Sequence, residues 1–571
     1  MFRENNAHLQ MSMFNSISSL PENELTLLEE SWANTFYHEF FCRLDESPFA
    51  ALYSDMPSRP NVPINIVMAL EVLKAGFGWS DEEMMQAFYF NLQVRYALGL
   101  HELGEGHFDV RTVYNFRQRL SQHMQNTGED LIGQAFRRVT DEQLEAFALQ
   151  TNRVRMDSTF VASNIREMSR LQLLVEVIQR VHRMVSEIDG VRYADEFAPY
   201  LKGSSGQYVY RVRSEEGASH IQRVGEVMHR LVHELAPTYG DEPTYQVLTR
   251  VFGEHFILAE GGLRPRQGEE FPSPTVQSPD DLEASYRRKR GRGYRGFVVN
   301  VSETCEPDND LQLIVEVQTE ANVTDDPTLL TAALPALQER LDMQELNTDG
   351  GYNSRATAQL ARELGIDHVQ TAIRGHPGRG LGLDAFEIET KPDDLPNAIT
   401  CPQGQRVSVV AAKPKRYLAH FDAKQCETCP RRESCPTRPR KRKPVRALYF
   451  NQHEQEIARR RRRIRHDRQQ GRNLRAAVES TVAAIKRPFR QGKVPVRGLR
   501  RVAAMMIASA SMVNIRRIHR YQVAEGPQGT QSPAAVSAQS PQGPSLLLLF
   551  RQLRQRLYLL CTRHLYPAPI M

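Results

Sequence analysis

The hydrophobic period of this chain changes near residue 154, and that change limits the folds open to it. Up to about residue 150 apolar side chains recur at helical spacing, whereas 154–163 (VRMDSTFVAS) alternates, is rich in β-formers and reads as a strand. A long interruption follows over 165–290, with amphipathic helices expected at 171–188 and 221–235 and a proline-rich loop at 271–279. Strands resume at 294–303 (YRGFVVNVSE) and 311–319 (LQLIVEVQT); a helix at 328–341, a short strand at 344–348, a helix at 356–364 and a short strand at 368–372 complete the series. Strand, insertion, strand, strand, helix, strand, helix, strand is the pattern of an α/β sheet carrying an inserted helical region.

The stretch before the sheet, 1–150, reads as all-α. Pro60 and Pro63 break the chain before an apolar helix at 64–76 (INIVMALEVLKAG), and Ser80 stands as an N-cap with Glu83 at the capping-box position. In 108–120 (FDVRTVYNFRQRL), Asp109 is placed to cap a helix that presents Arg111, Arg117 and Arg119. Short helices ending in a basic one fit a helix-turn-helix-like DNA-binding module, and equally a plain bundle.

Charge separates the far end of the chain from the rest. Between Arg431 and Arg500 stand 23 Lys and Arg against 5 Asp and Glu, while the other residues carry 50 basic side chains against 63 acidic ones. The formal net charge of +5 hides this block, for which a polyanion such as DNA is the natural partner and a solvated basic tail the plain alternative. A long basic helical stretch is expected over 452–486, with a break near Gly471, and a last helix over 499–521. Residues 525–545 are of low complexity and read as disordered, ahead of a short amphipathic helix at 546–565. No run of 18 apolar residues suggests a membrane span, and the first 20 residues lack the order of a signal peptide, so a cytoplasmic location is expected.

Four of the seven cysteines lie in a segment, 376–450, that is poor in long elements: Cys401, Cys426, Cys429 and Cys435, spaced C-x24-C-x2-C-x5-C. A C-x2-C pair can chelate Zn²⁺ and two further thiolates complete a tetrahedron, with His420 as a possible substitute ligand; free surface thiols are the alternative. Cys42, Cys305 and Cys561 stand alone and read as packing residues.

Three carboxylates stand out. Asp157 sits in mid-strand, where aspartate is disfavoured and needs a partner. Asp349 ends a strand before Gly350 and Gly351, at the end of a sheet where α/β folds bind ligands. Glu479 falls four residues after Arg475 and seven before Lys486, so that at about 100° per residue all three share one helix face. A carboxylate between two cations suits a site that holds metal and grips phosphate, although ordinary i,i+4 pairing gives the same spacing.

Taken together, RMDS, NTDGGY and R-x3-E-x6-K resemble the DDE transposases of bacterial insertion sequences, whose third motif is Tyr-x2-Arg-x3-Glu-x6-Lys. Arg475, Glu479 and Lys486 fit it at every spacing, while Arg472 stands at the tyrosine position. Residues 278–303 (SPDDLEASYRRKRGRGYRGFVVNVSE) and 59–88 (RPNVPINIVMALEVLKAGFGWSDEEMMQAF), with YNFRQRL further on, add to a resemblance that spans roughly 10–520. The closest type in that group also carries a cysteine-rich segment before the glutamate.

The resemblance implies a ribonuclease H-like core over 151–375 with its helical insertion at about 165–290. A helical DNA-binding domain over 1–150 would precede it. A zinc-binding segment over 376–450 and a basic helical region over 451–523 that completes the core would follow, ahead of the tail at 524–571. It implies that Asp157, Asp349 and Glu479 are catalytic and hold two Mg²⁺, or Mn²⁺, for in-line attack on DNA. Arg475, Lys486, Arg472, Arg117, Arg119 and the run Arg459, Arg460, Arg461, Arg462 and Arg463 are the expected DNA contacts. Double-stranded DNA, as transposon ends and target, is the expected partner of a homo-oligomer. A non-catalytic DNA-binding descendant of a transposase is the competing reading.

Overall fold

The computed structural model describes residues 1–525, apart from 10–15, 55, 57–58, 103, 260, 290, 373–379, 393–394, 414–415, 442 and 470–473. The tail and helix expected beyond 525, together with Cys561 and Arg472, lie outside the described residues.

The chain opens with α1 (Glu22–Glu29), α2 (Trp32–Phe36), α3 (Ile64–Phe77), α4 (Asp81–Phe90), α5 (Leu92–Ala97), α6 (Val110–Thr127) and α7 (Leu131–Ala146). The caps fall where the sequence places them. Ser80 and Glu83 form a capping box at the start of α4, and the Asp109 carboxylate accepts from the Arg111 N–H at the start of α6. Helix α3 is apolar almost all round, and a helix of that kind must be enclosed; Ile64 to Gly76 is buried save for Glu71. Its neighbours come from far along the chain. One core cluster joins Phe36, Leu70, Phe88 and Phe116 to Val299 and Val317 of the sheet and to Ile485, Met506 and Ile515 near the end of the described chain. The change of period at about 150 thus marks a change of element type and not a break in packing, and 1–523 forms one compact unit.

Strand β1 (Arg153–Ala162) leads into the insertion: α8 (Arg170–Met184), α9 (Glu187–Arg192), α10 (Ala194–Phe197), α11 (Ser205–Tyr210), α12 (Gly217–Tyr239), α13 (Pro243–His255) and a hairpin of β2 (Phe256–Ala259) and β3 (Gly262–Pro265). These helices enclose a core of their own, with Leu174, Ile178, Phe197, Met228, Leu231 and Leu248 at its centre. The chain returns as β4 (Ser285–Lys289), β5 (Arg292–Thr304) and β6 (Ile314–Ala321), and continues through α14 (Asp326–Leu341), β7 (Glu345–Thr348), α15 (Arg355–Glu363) and β8 (Asp367–Gln370).

In this sheet β5 pairs antiparallel with β1 along one edge and with β4 and β6 along the other. On the far side of β1, β7 and β8 add in parallel, each reached through a helix. At the close crossing of β5 and β1, Gly296 has φ +140° and a side chain there would meet the Val161 carbonyl at 2.3 Å, so only glycine fits.

The segment 376–450 departs from expectation. It forms a second, antiparallel sheet of β9 (Glu387–Thr390), β10 (Pro396–Thr400), β11 (Arg406–Lys413), β12 (Arg416–Asp422), β13 (Arg438–Pro439) and β14 (Val445–Asn451), in the order β13-β14-β12-β11-β10-β9, with α16 (Ala423–Glu427) after β12. Its core is small, built on Phe386, Ile399, Phe421, Leu448 and Phe450. The apolar residues of these strands are so diluted by Arg, Lys, Glu and His that the alternation is hard to read. The basic stretch holds α17 (Gln452–Gln469) and α18 (Val478–Lys486), the break expected near Gly471 lying outside the described residues, and α19 (Leu499–Glu525) follows. No helix among the described residues is long and apolar enough to cross a membrane.

One buried carboxylate ties these parts together. Glu303, near the end of β5, is fully buried and stands opposite Arg155 of β1 in register. Its Oε1 accepts from Arg155 Nε at 2.7 Å, and its Oε2 accepts from Thr481 Oγ1 of α18 and Arg517 Nη1 of α19, each at 2.7 Å. Arg155 also donates from Nη1 to the Leu474 carbonyl at 2.8 Å, just ahead of α18. Removing one member of a buried charge network leaves the others uncompensated and costs about 3–5 kcal/mol. Glu303→Gln is therefore expected to lower unfolding stability by that amount in denaturant titrations. Glu389→Gln, which breaks the exposed pair with Arg406, should change it by less than about 1 kcal/mol.

Candidate functional site

Alternate residues of a strand point to one face, and on β1 the series Arg155, Asp157 and Thr159 meets the segment around α18. Arg155 holds the Leu474 carbonyl, Asp157 Oδ2 lies 3.2 Å from Arg475 Nη2, and Thr159 Oγ1 accepts from Lys486 Nζ at 2.5 Å. The same Arg475 Nη2 lies 3.4 Å from Glu479 Oε1, so one guanidinium nitrogen bridges the Asp157 and Glu479 carboxylates. Arg475 falls in the turn before α18 rather than on the helix that carries Glu479, a departure from the single face expected. Within α18, Val478, Thr481, Val482 and Ile485 are buried, which leaves the Glu479 carboxylate 65 % exposed.

Asp349 follows β7, the parallel neighbour of β1, and its Oδ1 accepts from the Gly351 N–H at 2.6 Å. It is near enough to act on Asp157. Burial pushes the Asp157 carboxyl above its usual range; Arg475 opposes the rise, and the Asp349 charge adds to it. Burial pushes the Lys486 ammonium down, and Asp157 opposes that fall. The three carboxylates singled out in the sequence are thus brought to one region, two joined through Arg475 and the third coupled through its charge.

The structure adds residues that the sequence did not flag. Asp326, the first residue of α14, is 7 % exposed, and its Oδ1 accepts from Ser158 Oγ at 2.7 Å. A side chain on Gly351 would meet Asp326 Oδ2 and Asp349 Oδ1, each at 2.6 Å, so the glycine leaves room for two carboxylates side by side. Tyr352 is fully buried and donates to Asn300 Oδ1 at 2.7 Å; burial, then the charges of Asp326, Asp157 and Asp349, hold its hydroxyl well above the usual range. A buried acid at a helix start, one residue after the N-cap Asp325, reads in sequence as helix-capping chemistry, which is why Asp326 was passed over.

Among the described residues no three His, Cys, Asp or Glu side chains are grouped closely enough to hold a metal ion. At the carboxylates the reason is visible: Arg475 holds Asp157 and Glu479, and Asp349 turns to its own Gly351 N–H. The cysteines gather without closing. Cys401 ends the strand edge at β10, Cys426 lies on α16 and Cys435 on the loop beyond, all half-buried against the small second core. The Cys426 thiol is raised first by burial and then by its neighbours Cys435, Cys401 and Cys429, with Arg446 opposing. His420, on β12, keeps a buried Nδ1 with no hydrogen-bond partner among the described residues. Cys305 is buried and Cys42 half-buried, as packing residues should be.

Much of the basic charge assigned to DNA is engaged within the protein. Arg460 donates to Asn353 Oδ1 at 2.7 Å, Arg461 lies 3.7 Å from Asp384, and Arg463 pairs with Glu345 at 3.2 Å and with Asp367. Burial lowers the Arg462 guanidinium, against Glu387 and Asp384, and Arg459 too has a partner. In the N-terminal helices Arg119 lies over the Tyr53 ring at 4.8 Å. Arg117 holds Glu71 at 2.7 Å and Asp81 at 2.6 Å, and Lys74 Nζ donates to the same Asp81 at 2.7 Å.

Comparison with known families gives two matches. Residues 27–119, from α1 into α6, match a transposase domain (DUF772), and residues 400–519 match a transposase DDE domain. The second stretch contains Arg475, Glu479 and Lys486, whereas Asp157 and Asp349 lie outside both. No curated protein and no solved structure matches the chain.

The Asp81 cluster makes a prediction in pH. Burial alone would favour the protonated acid, but Arg117 and Lys74 hold the Asp81 carboxyl down at about 2. A carboxyl whose value falls on folding contributes fully above its ordinary value near 4 and loses that contribution as pH drops toward 2. Wild type is therefore expected to exceed Asp81→Asn in stability by a constant margin above about pH 5, shrinking between pH 4 and 2, in acid titrations followed by circular dichroism.

Proposed function

From the premise that this chain belongs to the DDE transposases of the insertion-sequence type, we propose that Asp157, Asp349 and Glu479 are the catalytic carboxylates of a DNA strand cleavage and strand transfer reaction. The reading rests on one observation: Arg475 bridges the Asp157 and Glu479 carboxylates beside Lys486 over β1, with Asp349 on the neighbouring strand acting on Asp157 through its charge. The order of strands around β1 is in keeping with a ribonuclease H-like core.

DDE transposases generally use Mg²⁺, and the donor set fits it: hard carboxylate oxygens from two Asp and one Glu. Bound there, two Mg²⁺ would supply activation of the attacking hydroxyl and stabilisation of the leaving oxygen. The chain's own residues do the rest. Arg475 holds Asp157 and Glu479 facing one another, and it and Lys486 give the site the positive charge that a phosphodiester requires. Asp349, fixed by the Gly351 N–H, sets the third corner. We take DNA ends and target DNA as substrates, gripped by a homo-oligomer through cations of the N-terminal helices and the 431–500 region.

The cysteines serve a separate purpose in this reading. Cys401, Cys426, Cys429 and Cys435 would bind one structural Zn²⁺, pinning a sheet whose core is too small to hold alone. Freshly prepared, reduced protein is expected to contain about one zinc per chain by metal analysis, falling to none in Cys426→Ser. Metal-free wild type would return the cluster to a set of free thiols.

Glu479→Gln keeps the shape of the side chain and removes its charge. Because Glu479 is mostly exposed, the fold should be unaffected, and binding to transposon-end DNA should stay within about twofold of wild type. Nicking and joining in Mg²⁺ should fall by about three orders of magnitude or more, which corresponds to about 4 kcal/mol of barrier. Wild-type protein that binds ends specifically and never cuts, in Mg²⁺ or Mn²⁺, would instead identify a DNA-binding descendant.

A further inference from the structure

The helical insertion carries a feature that the carboxylate site does not use. Arg166, Ser204, Gly206, Gln207, Tyr210 and Arg211 line a cleft of about 350 Å³. Several arginines of the insertion are paired with acids: Arg180 with Asp280 and Glu176, Arg230 with Glu196 and Glu234, Arg250 with Glu254, Arg264 with Glu270. Arg166 and Arg211 stand together at one cleft with no such pair. Both are exposed, neither makes an ion pair or side-chain hydrogen bond among the described residues, and no carboxylate lines the cleft between them. Two like charges held at one cleft without a counter-charge repel, and an anion relieves that repulsion.

Part of the wall is fixed. Ser204 and Gln207 hydrogen-bond each other's backbone N–H, at 3.3 and 2.9 Å, so neither side chain is free to wander. A side chain on Gly206 would come within 3.0 Å of Arg166 Nη2, and one on Gly203 within 3.5 Å of Arg211 Nη2. Beside them the Tyr210 ring is 93 % exposed, an aromatic face left open to solvent next to two guanidinium groups. A phosphate-sized anion together with a flat ring is the chemistry of a nucleotide.

The cleft also lies within reach of the catalytic strand. Arg166 is nine residues beyond Asp157 on the chain that leaves β1, which places it no more than roughly 30 Å away. The intervening residues are held to the segment after α18: Asn164 N–H donates to the Val496 carbonyl, Lys493 Nζ to the Ile165 carbonyl and Arg497 Nε to the Asn164 carbonyl. The cleft is thus held, through the chain that leaves β1, within a few nucleotides of Asp157.

We propose that this cleft binds one nucleotide of an unpaired DNA strand, its phosphate between Arg166 and Arg211 and its base stacked on Tyr210. The proposal rests on the transposase reading only in taking DNA as the substrate. Unpaired DNA is specified because a base inside a duplex has no free face to offer Tyr210.

The test uses the full chain and fluorescence anisotropy, with a labelled ten-residue oligothymidine and a blunt duplex as probes over a range of salt. Tyr210→Ala should weaken binding of the single strand roughly 5- to 150-fold and leave the duplex nearly unchanged, while Tyr210→Phe keeps wild-type affinity. Arg166→Gln with Arg211→Gln should lower the slope of log affinity against log salt on the single strand by about 1.4. Because these side chains are exposed, the variants are expected to fold, and matched melting curves check that. An unchanged single-strand affinity in Tyr210→Ala overturns the proposal, and so does an equal loss on both probes, which would mark a general phosphate contact. Wild type that binds neither probe overturns the DNA reading itself, and this proposal with it.

Discussion

The site depends on a charge that never meets solvent. Glu303 is enclosed on every side, and its two oxygens are shared among Arg155, Thr481 and Arg517. Those three partners belong to β1, α18 and α19, elements separated by more than 300 residues of chain at the widest. Arg155 precedes Asp157 by two positions on the same face of β1, and Thr481 follows Glu479 by two on α18. The network therefore sets the distance between the strand that presents one carboxylate and the helix that presents another. Desolvating so many charges is expensive, and an apolar replacement of the whole group often holds a fold as well. What an apolar cluster does not supply is direction: hydrogen bonds fix α18 in both height and rotation against β1.

Around that clamp the carboxylates are arranged in tension. Asp157 is buried enough to resist ionisation and is pushed further by Asp349, while Arg475 pulls the other way. Asp326 and Tyr352 crowd the same corner, and Gly351 is the residue whose missing side chain makes the crowding possible. Perturbed groups of this kind gather where chemistry is done, although structural ion pairs produce them too. Here the distinction comes from the composition of the cluster. The Glu303 network sets two arginines against one carboxylate, whereas the cluster of Asp157, Asp349, Asp326 and Glu479 has an excess of acid over the cations Arg475 and Lys486 beside it.

The main sheet was legible through β1, β5 and β6, which are long and rich in apolar residues, and through the helices that set off the short β7 and β8, while the helix starts at Ser80 and Asp109 were legible because caps act locally. The carboxylates were legible by spacing to Arg475 and Lys486, and by position for Asp157 in mid-strand. Three things were not. Glu303 looks like the polar end of an apolar strand until its register against Arg155 is known, and register is a long-range property. Asp326 resembles an ordinary helix-start acid. The second sheet was missed because its strands carry as much charge as apolar surface and bury only a handful of side chains. The opposite error concerned the arginines. A run of five reads as a free positive patch, yet their partners Asn353, Glu345, Asp367 and Asp384 come from elements more than 70 residues away in sequence.

That internal pairing changes which cations the proposed attraction for DNA can draw on. An ion pair at 3 Å presents little field beyond the Debye length of about 8 Å at physiological salt. The pairing of Arg461 and Arg463 thus serves mainly to fasten α17 to the sheet and to the loop at Asp384, while the basic excess of the segment is offset by the acidic excess elsewhere. What remains to attract a phosphate backbone is the smaller set of cations without an acid beside them. Arg487 and Arg490, at the end of α18 and just past it, make no ion pair among the described residues, and neither do Arg166 and Arg211 beyond β1. Arg487, Arg490 and Arg166 lie on chain leaving the two elements that the Glu303 network clamps together, so the interaction that sets α18 against β1 also bears on where those cations stand relative to the carboxylates.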